Sequence, residues 1–372
     1  MNIHIISQLS RQGLKIALMA FCVVFLSSLE AQDKANLDAQ AIVEQAYPQI
    51  YGKVISREEN TITNAIVERV KIYPREHAGV KTKIERSGIL VRYKNAKATV
   101  LVCHGFMCDK HDAGLLRRLF PRGKYNVMTF DFRAHGENVA GQECTLGHDE
   151  AHDVIAAGKF LRNHPDLHNK PLFVYGFSMG AAASIEAQSR KKLFDAMVLD
   201  CPFDSSEKIL QRSLDSITFS VFGYKFELPC KNYIRQYAFH PYVQSFVKAL
   251  LKTVAQMDTQ NIQMNIPRFS PQESVKNISV PCFFIHCRND EKVPIEAGKS
   301  VFTGAAGPKK MWITNGRRHF DSYFYNPEGY TEKVRSFLND VLHGKYRSNN
   351  EPQIIEDAHE TVSIGDKHEA SL

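Results

Sequence analysis

The chain has 372 residues, 44% hydrophobic and 23% charged, with 21 Gly and 15 Pro, an ordinary globular composition that excludes collagen-like, low-complexity and wholly disordered readings. Its net charge of +7 falls short of the clustered basic surface of a nucleic-acid binder, so no nucleic-acid partner is expected. Eight Cys without CxxC pairs or regular spacing exclude a zinc module or a small disulfide framework.

In chain order, the first element is a targeting segment. Arg11 and Lys15 precede the apolar run Ile16–Leu26, and SSLEAQDK follows. A positive start, a short apolar run and a small residue at the cut describe a secretory signal peptide over 1–31, cleaved after Ala31. The run is short of the roughly 20 residues of a bilayer span. Export is therefore expected, to a periplasmic or secreted location; the alternative is a membrane tether formed by an uncleaved signal anchor. Residues 32–85 read as an N-terminal helix (35–50) and leading strands. From about residue 68 onward, short β-rich runs alternate with helical stretches: ERVKIYP, GILVRY, ATVLVCH, NVMTFDF, PLFVYGF, AMVLDCP, PCFFIHC and KMWITN. Such alternation predicts an α/β fold with a mostly parallel central sheet flanked by helices. The core is assigned to 86–204 and 270–345.

The long gap between AMVLDC and PCFFIHC cannot be a simple crossover. It reads as an inserted helical lid over 205–269, rich in aromatics from Phe219 to Phe246. Beyond residue 346 the chain is polar and acidic without apolar periodicity, which predicts a disordered acidic tail over 346–372. Cys103, Cys201 and Cys287 stand at strand ends, where a thiol is usually a small buried hydrophobe. Cys201 is also a candidate partner for Cys230.

Gly176-Phe177-Ser178-Met179-Gly180 matches G-x-S-x-G. The bare pattern is weak, but the strand LFVY runs into it and a small-residue helix leaves it. A strand-turn-helix elbow strains the serine, and the glycines at 176 and 180 admit neighbouring backbone. The helix N-terminus supplies partial positive charge where an oxyanion would form. A serine nucleophile needs a base held by a third group. Downstream, Asp290 follows the strand PCFFIHC, and His319 follows KMWITN, both just past strand carboxyl ends, where open α/β sheets assemble sites. Asp200, at the end of the preceding strand, is the rival acid.

Through these residues the chain resembles the serine hydrolases of the α/β-hydrolase superfamily, and is most similar to the branch of serine aminopeptidase-like, acylglycerol-lipase-like and related esterase domains. The likeness covers about 86–345 apart from the insertion. It rests on HGF at 104–106, FDFRAHGEN at 130–138, Gly147-x-x-Glu150-x-x-Asp153, GFSMG at 176–180, DCPFDS at 200–205, NDEKVP at 289–294 and RHF at 318–320. The resemblance implies Ser178 as nucleophile, His319 as base and then acid, and Asp290 as the acid that orients it. It implies oxyanion donors at the backbone N–H groups of Phe106 and Met179. Relatives usually carry Gly where this chain has Cys287.

His148 and His152 share a helix face, but the Glu of H-E-x-x-H is displaced and no third ligand stands out, so no metal or other cofactor is expected. His104, His135 and Asp131 read as organisers of turns, and Arg317-Arg318 as solvated charge. Asn277-Ile278-Ser279 is a glycosylation acceptor in a host that glycosylates exported proteins. The expected reaction is hydrolysis of a carboxylic ester or thioester through an acyl-enzyme, on a small acyl substrate, apolar or anionic, with membrane contact only transient or through an uncleaved signal segment. The alternatives are a serine exopeptidase, disfavoured by the few acids of the insertion, and a catalytically silent binding module on the same fold.

Overall fold

The computed structural model describes residues 51–74, 85–138, 142–215, 218–221, 224–227, 263–347 and 351–358. The signal segment and the helix expected over 35–50 lie outside the described residues, as does most of the insertion.

Ten strands form the central sheet. In chain order they are β1 (Gly52–Asn60), β2 (Ala65–Ile72), β3 (Arg86–Arg92), β4 (Ala98–Cys103), β5 (Tyr125–Phe130), β7 (Leu172–Phe177), β8 (Ala196–Asp200), β12 (Cys282–Cys287), β13 (Lys309–Thr314) and β14 (Gln353–Glu356), with β6 (Glu143–Cys144), β9 (Thr218–Val221), β10 (Tyr224–Glu227) and β11 (Gln263–Met264) outside it. The spatial order is β1-β2-β3-β5-β4-β7-β8-β12-β13-β14. The first three strands pair antiparallel with their neighbours, and from β5 to β14 every pairing is parallel.

Parallel strands buried on both faces need apolar residues at consecutive positions, and the central strands supply them. In β7, Leu172 and Val174 join one core while Phe173, Tyr175 and Phe177 join the other. Helices α2 (Glu150–Asn163), α3 (Met179–Arg190) and α5 (Ile295–Gly304) cover the first face; α1 (Lys110–Leu115) and α6 (Pro327–Leu342) cover the second. Burial of each large side chain, such as Phe173 or Trp312, contributes about 1.5–3 kcal/mol. The expected α/β-hydrolase architecture of a mostly parallel sheet between helices is what the chain adopts.

Two expectations are corrected. The insertion is not purely helical: after α4 (Ser206–Asp215), Thr218–Val221 and Tyr224–Glu227 form an antiparallel hairpin. Its runs TFSV and YKFE alternate aromatic or β-branched with polar residues, a period of two that suits a strand. At the far end of the insertion, Gln263–Met264 pairs with Glu143–Cys144. The tail is not uniformly disordered either. Gln353–Glu356 adds a parallel edge strand to Lys310–Ile313, because Ile354 and Ile355 bring strand-forming side chains to the open edge of β13. Trp312 Nε1 donates to Asp357 Oδ1 at 2.9 Å, and Arg288 Nη1 binds Glu356 Oε2 at 3.0 Å. Two of the tail's acids are thus partnered. Cys201 is buried and in no disulfide with another described cysteine; its candidate partner Cys230 lies outside the described residues.

Candidate active site

Three loops at the carboxyl ends of parallel strands converge. β7 ends at Phe177 and α3 begins at Met179, so Ser178 alone makes the turn, with φ 53° and ψ −119°. This is the left-handed side of backbone space, which a side chain occupies only when its surroundings enforce it. The enforcement is visible. Ser178 N–H donates to Asp200 O at 2.9 Å, and its carbonyl accepts from Ala181 and Ala182. The flanking glycines are there for space. A Cβ on Gly176 would lie 2.5 Å from Gly180 O, and one on Gly180 would collide with the carbonyl oxygens of Cys103 and His104. The helix therefore starts in contact with the end of β4.

Asp290 lies on the loop after β12 and is buried. Its Oδ1 accepts from the N–H groups of Lys292 at 3.0 Å and Val293 at 2.9 Å, which leaves Oδ2 to face His319 Nδ1 at 2.6 Å. His319 Nε2 in turn lies 2.7 Å from Ser178 Oγ. With Nδ1 carrying the proton, the imidazole donates to the carboxylate and accepts from the serine hydroxyl. The structure thus brings together Ser178, His319 and Asp290, which are separated by 112 and 29 positions of sequence. Asp200, the rival acid, points elsewhere: its Oδ2 accepts from Tyr330 OH at 2.6 Å, and that hydroxyl is paired with Tyr175 OH. Burial raises the Asp200 carboxyl to about 7, with the nearby Asp290 charge adding to the rise.

Met179 directly follows Ser178, and Phe106 follows Gly105 on the loop after β4. Met179 is the first residue of α3, so its N–H is among the helix donors without an intrahelical acceptor. Gly105 packs against the nucleophile turn, with a Cβ there falling 3.5 Å from Ser178 Cβ. His104 fixes this loop. Its Nδ1 donates to Gly105 O at 2.8 Å while its Nε2 accepts from Phe132 N–H at 3.0 Å, and burial lowers its pKa to about 3. Asp131 accepts from the Lys110 backbone and ammonium groups and from Glu137 N–H, so it organises the turn after β5. Of the two His considered as metal ligands, His148 binds Asp149 and His152 lies 3.3 Å from an Arg190 nitrogen. Among the described residues, Cys201 Sγ, an Asp290 oxygen and a His319 nitrogen lie within 4.8 Å of one another. That set is chemically able to hold a metal ion, but both His319 nitrogens are already engaged. Arg317 and Arg318 are exposed.

A family model described as the Alpha/beta hydrolase family matches residues 100–333. The chain belongs to the alpha/beta hydrolase family. Among curated relatives of this hydrolase-family chain, the uncharacterized protein YqkD of Bacillus subtilis (strain 168) is 24% identical over 245 residues, covering 65% of this chain and 72% of YqkD. The lysophosphatidylserine lipase ABHD12 of Danio rerio is 24% identical over 248 residues, covering 65% of this chain and 55% of that lipase, so the match spans about half of the lipase. Among solved structures, the esterase Pf2001 of Pyrococcus furiosus aligns with TM-score 0.55 at 22% identity, over 77% of this chain and 98% of the esterase. The acetyl xylan esterase from Paenibacillus sp. R4 aligns with TM-score 0.55 at 15% identity, over 81% of this chain and 92% of that one. These likenesses establish the fold.

Several positioning residues of this family member escape a reading of the sequence. Phe177 and Phe320 stack with centroids 4.0 Å apart, tying the residue before Ser178 to the residue after His319. His286 Nε2 donates to Val293 O at 2.8 Å behind the acid loop, where burial lowers its pKa. Cys287 fits in place of the usual Gly because Gly316 opposite has no side chain, and its thiol, pushed up to about 11 by burial, lies 3.1 Å from Ser322 Oγ. The adjacency of Phe to each of Ser178 and His319 was the only available signal for the stack. Among the described residues no helix is long and apolar enough to cross a membrane.

Proposed function

We propose that this alpha/beta hydrolase is an exported serine hydrolase that cleaves a carboxylic ester or thioester through an acyl-enzyme. The observation that carries the reading is the continuous run Asp290–His319–Ser178, with contacts of 2.6 and 2.7 Å, on a serine whose backbone is strained. His319 Nε2 takes the Ser178 hydroxyl proton as Oγ attacks the acyl carbon. The imidazolium that forms is stabilised by Asp290, whose second oxygen is already held by two backbone donors. The oxyanion is received by the N–H groups of Phe106 and Met179, aided by the positive end of α3. His319 then returns its proton to the leaving group, and a water activated by the same nitrogen releases the acid.

A fluorophosphonate probe is expected to label the wild-type protein at Ser178 and to leave Ser178→Ala unlabelled. Absence of labelling in folded protein would make the chain a silent binding module. Esters and thioesters of graded acyl length are expected to turn over in preference to aminoacyl amides; turnover of the amides alone would replace the esterase with an exopeptidase. Export predicts a mature N-terminus near residue 32, and a mature chain that retains Ile16–Leu26 would refute cleavage.

A further inference from the structure

The active-site loops use the carboxyl ends of the parallel strands. At the opposite edge, where β5 begins at Tyr125 and β3 runs out at Arg92, the surface opens into a recess of about 600 Å³. Four arginines line it: Arg117, Arg118, Arg122 and Arg335. No carboxylate is among its lining residues, and none of the four makes an ion pair among the described residues. The adjoining recess shares Arg118 and Arg335, adds Lys124, and is also lined by Glu328 and Glu332.

Two of the guanidinium groups are held in place. Arg335 donates from Nε to Leu119 O at 2.7 Å and from Nη2 to Arg118 O at 2.8 Å, which fixes the short 3-10 turn Leu116–Leu119 that carries Arg117 and Arg118. Arg117 lies over Gly114 and donates from Nη2 to Thr129 Oγ1 at 2.9 Å. Its Nε is buried with no acceptor. A guanidinium proton left unpaired away from water costs stability, and gathering cations without a counter-charge adds repulsion. An anion seated in the recess relieves that repulsion.

We infer that this recess binds a phosphate monoester. Four guanidinium groups around one cavity call for more than a single negative charge, and a phosphate monoester carries about −1.5 to −2 at neutral pH. The planar fork of arginine also matches phosphate oxygens two at a time. A volume of this size accommodates the phosphate together with a small organic body. The same group is presented by a soluble ester such as glycerol 3-phosphate and by the headgroup of phosphatidic acid. Because parallel strands of six residues separate this edge from Ser178, the ligand does not occupy the acyl site.

The test measures binding to the full chain at fixed ionic strength, with chloride as the balancing anion. Inorganic phosphate and glycerol 3-phosphate are titrated by calorimetry and by thermal shift. Vesicles of phosphatidylcholine with and without phosphatidic acid are used for co-sedimentation. Saturable binding of the soluble phosphates, or sedimentation that requires phosphatidic acid, supports the site and identifies which source reaches it. Arg118 and Arg122 are exposed and their side chains hold no other element, so the double variant Arg118→Gln/Arg122→Gln keeps the unliganded thermal midpoint. It is expected to weaken binding by about tenfold or more, through loss of charge-assisted contacts. No binding beyond the chloride control in either arm, or binding that the double variant leaves unchanged, overturns the proposal.

Discussion

Asp290 and Asp200 show how two buried carboxyls at the ends of neighbouring strands take different parts. Asp290 is given three backbone and side-chain donors, Lys292 N–H, Val293 N–H and the His319 ring. Replacing it by Asn keeps the shape but turns one oxygen into a donor facing His319 Nδ1, which favours the tautomer that cannot accept from Ser178. On the proposed mechanism Asp290→Asn lowers kcat by about 10³–10⁴ with little change in KM, read from steady-state ester turnover. Asp200 has its Oδ2 on Tyr330, while its Oδ1 is buried without a partner. Its pKa stands at about 7, against an ordinary 3.8. The folded state therefore holds a proton that the unfolded chain has released between those values, so stability is fully present below pH 3.8 and is lost as pH rises toward 7. Asp200→Asn removes this slope. Denaturant unfolding from pH 4 to 8 should show wild type losing stability relative to the variant, by on the order of 4 kcal/mol at the alkaline end; parallel curves would refute it.

At the level of elements, the strand-turn-helix from β7 through Ser178 to α3 was legible because every requirement on it is local: an apolar strand, two glycines, a helix of small residues. The order Ser, Asp, His was legible for a related reason, since the three stand one, three and five positions past the ends of strands with clear apolar runs. The Phe177–Phe320 stack and the His286 support behind Asp290 were not, because they join segments that only the folded sheet brings together. The hairpin within the insertion was hidden by its aromatic content, which serves a helix or a strand equally well. The edge strand β14 was hidden by the acids around it. Composition pointed to disorder, yet Glu356 and Asp357 meet Arg288 and Trp312. Deleting residues 351–372 strips β13 of its outer ladder and these bonds. That deletion is expected to lower stability by about 2–4 kcal/mol, a drop of roughly 4–10 °C in thermal midpoint, and to promote self-association through the bared edge, seen by light scattering. An unchanged midpoint would place β14 outside the cooperative unit.

At the scale of the whole molecule, the sheet separates two kinds of surface. One edge carries the serine, the histidine and the carboxylate; the other carries four arginines around one recess whose lining holds no carboxylate. The net charge of +7 averages over these and over an acidic end: from residue 349 onward there are six acids and a single lysine, so the remainder is more basic than the total. The composition was therefore a poor guide to where charge acts, whereas the strand pattern was a good guide to where chemistry gathers. β14 also has a mechanical meaning. Arg288, two residues before Asp290, donates to Asp357 O, and Asn315, four residues before His319, donates to Ala358 O. A pull applied to the carboxyl terminus is therefore transmitted first to the loops that bear the acid and the base, ahead of the core. A chain immobilised on a surface by that end would feel any load at its reacting groups, while one held through a loop on the arginine edge would not.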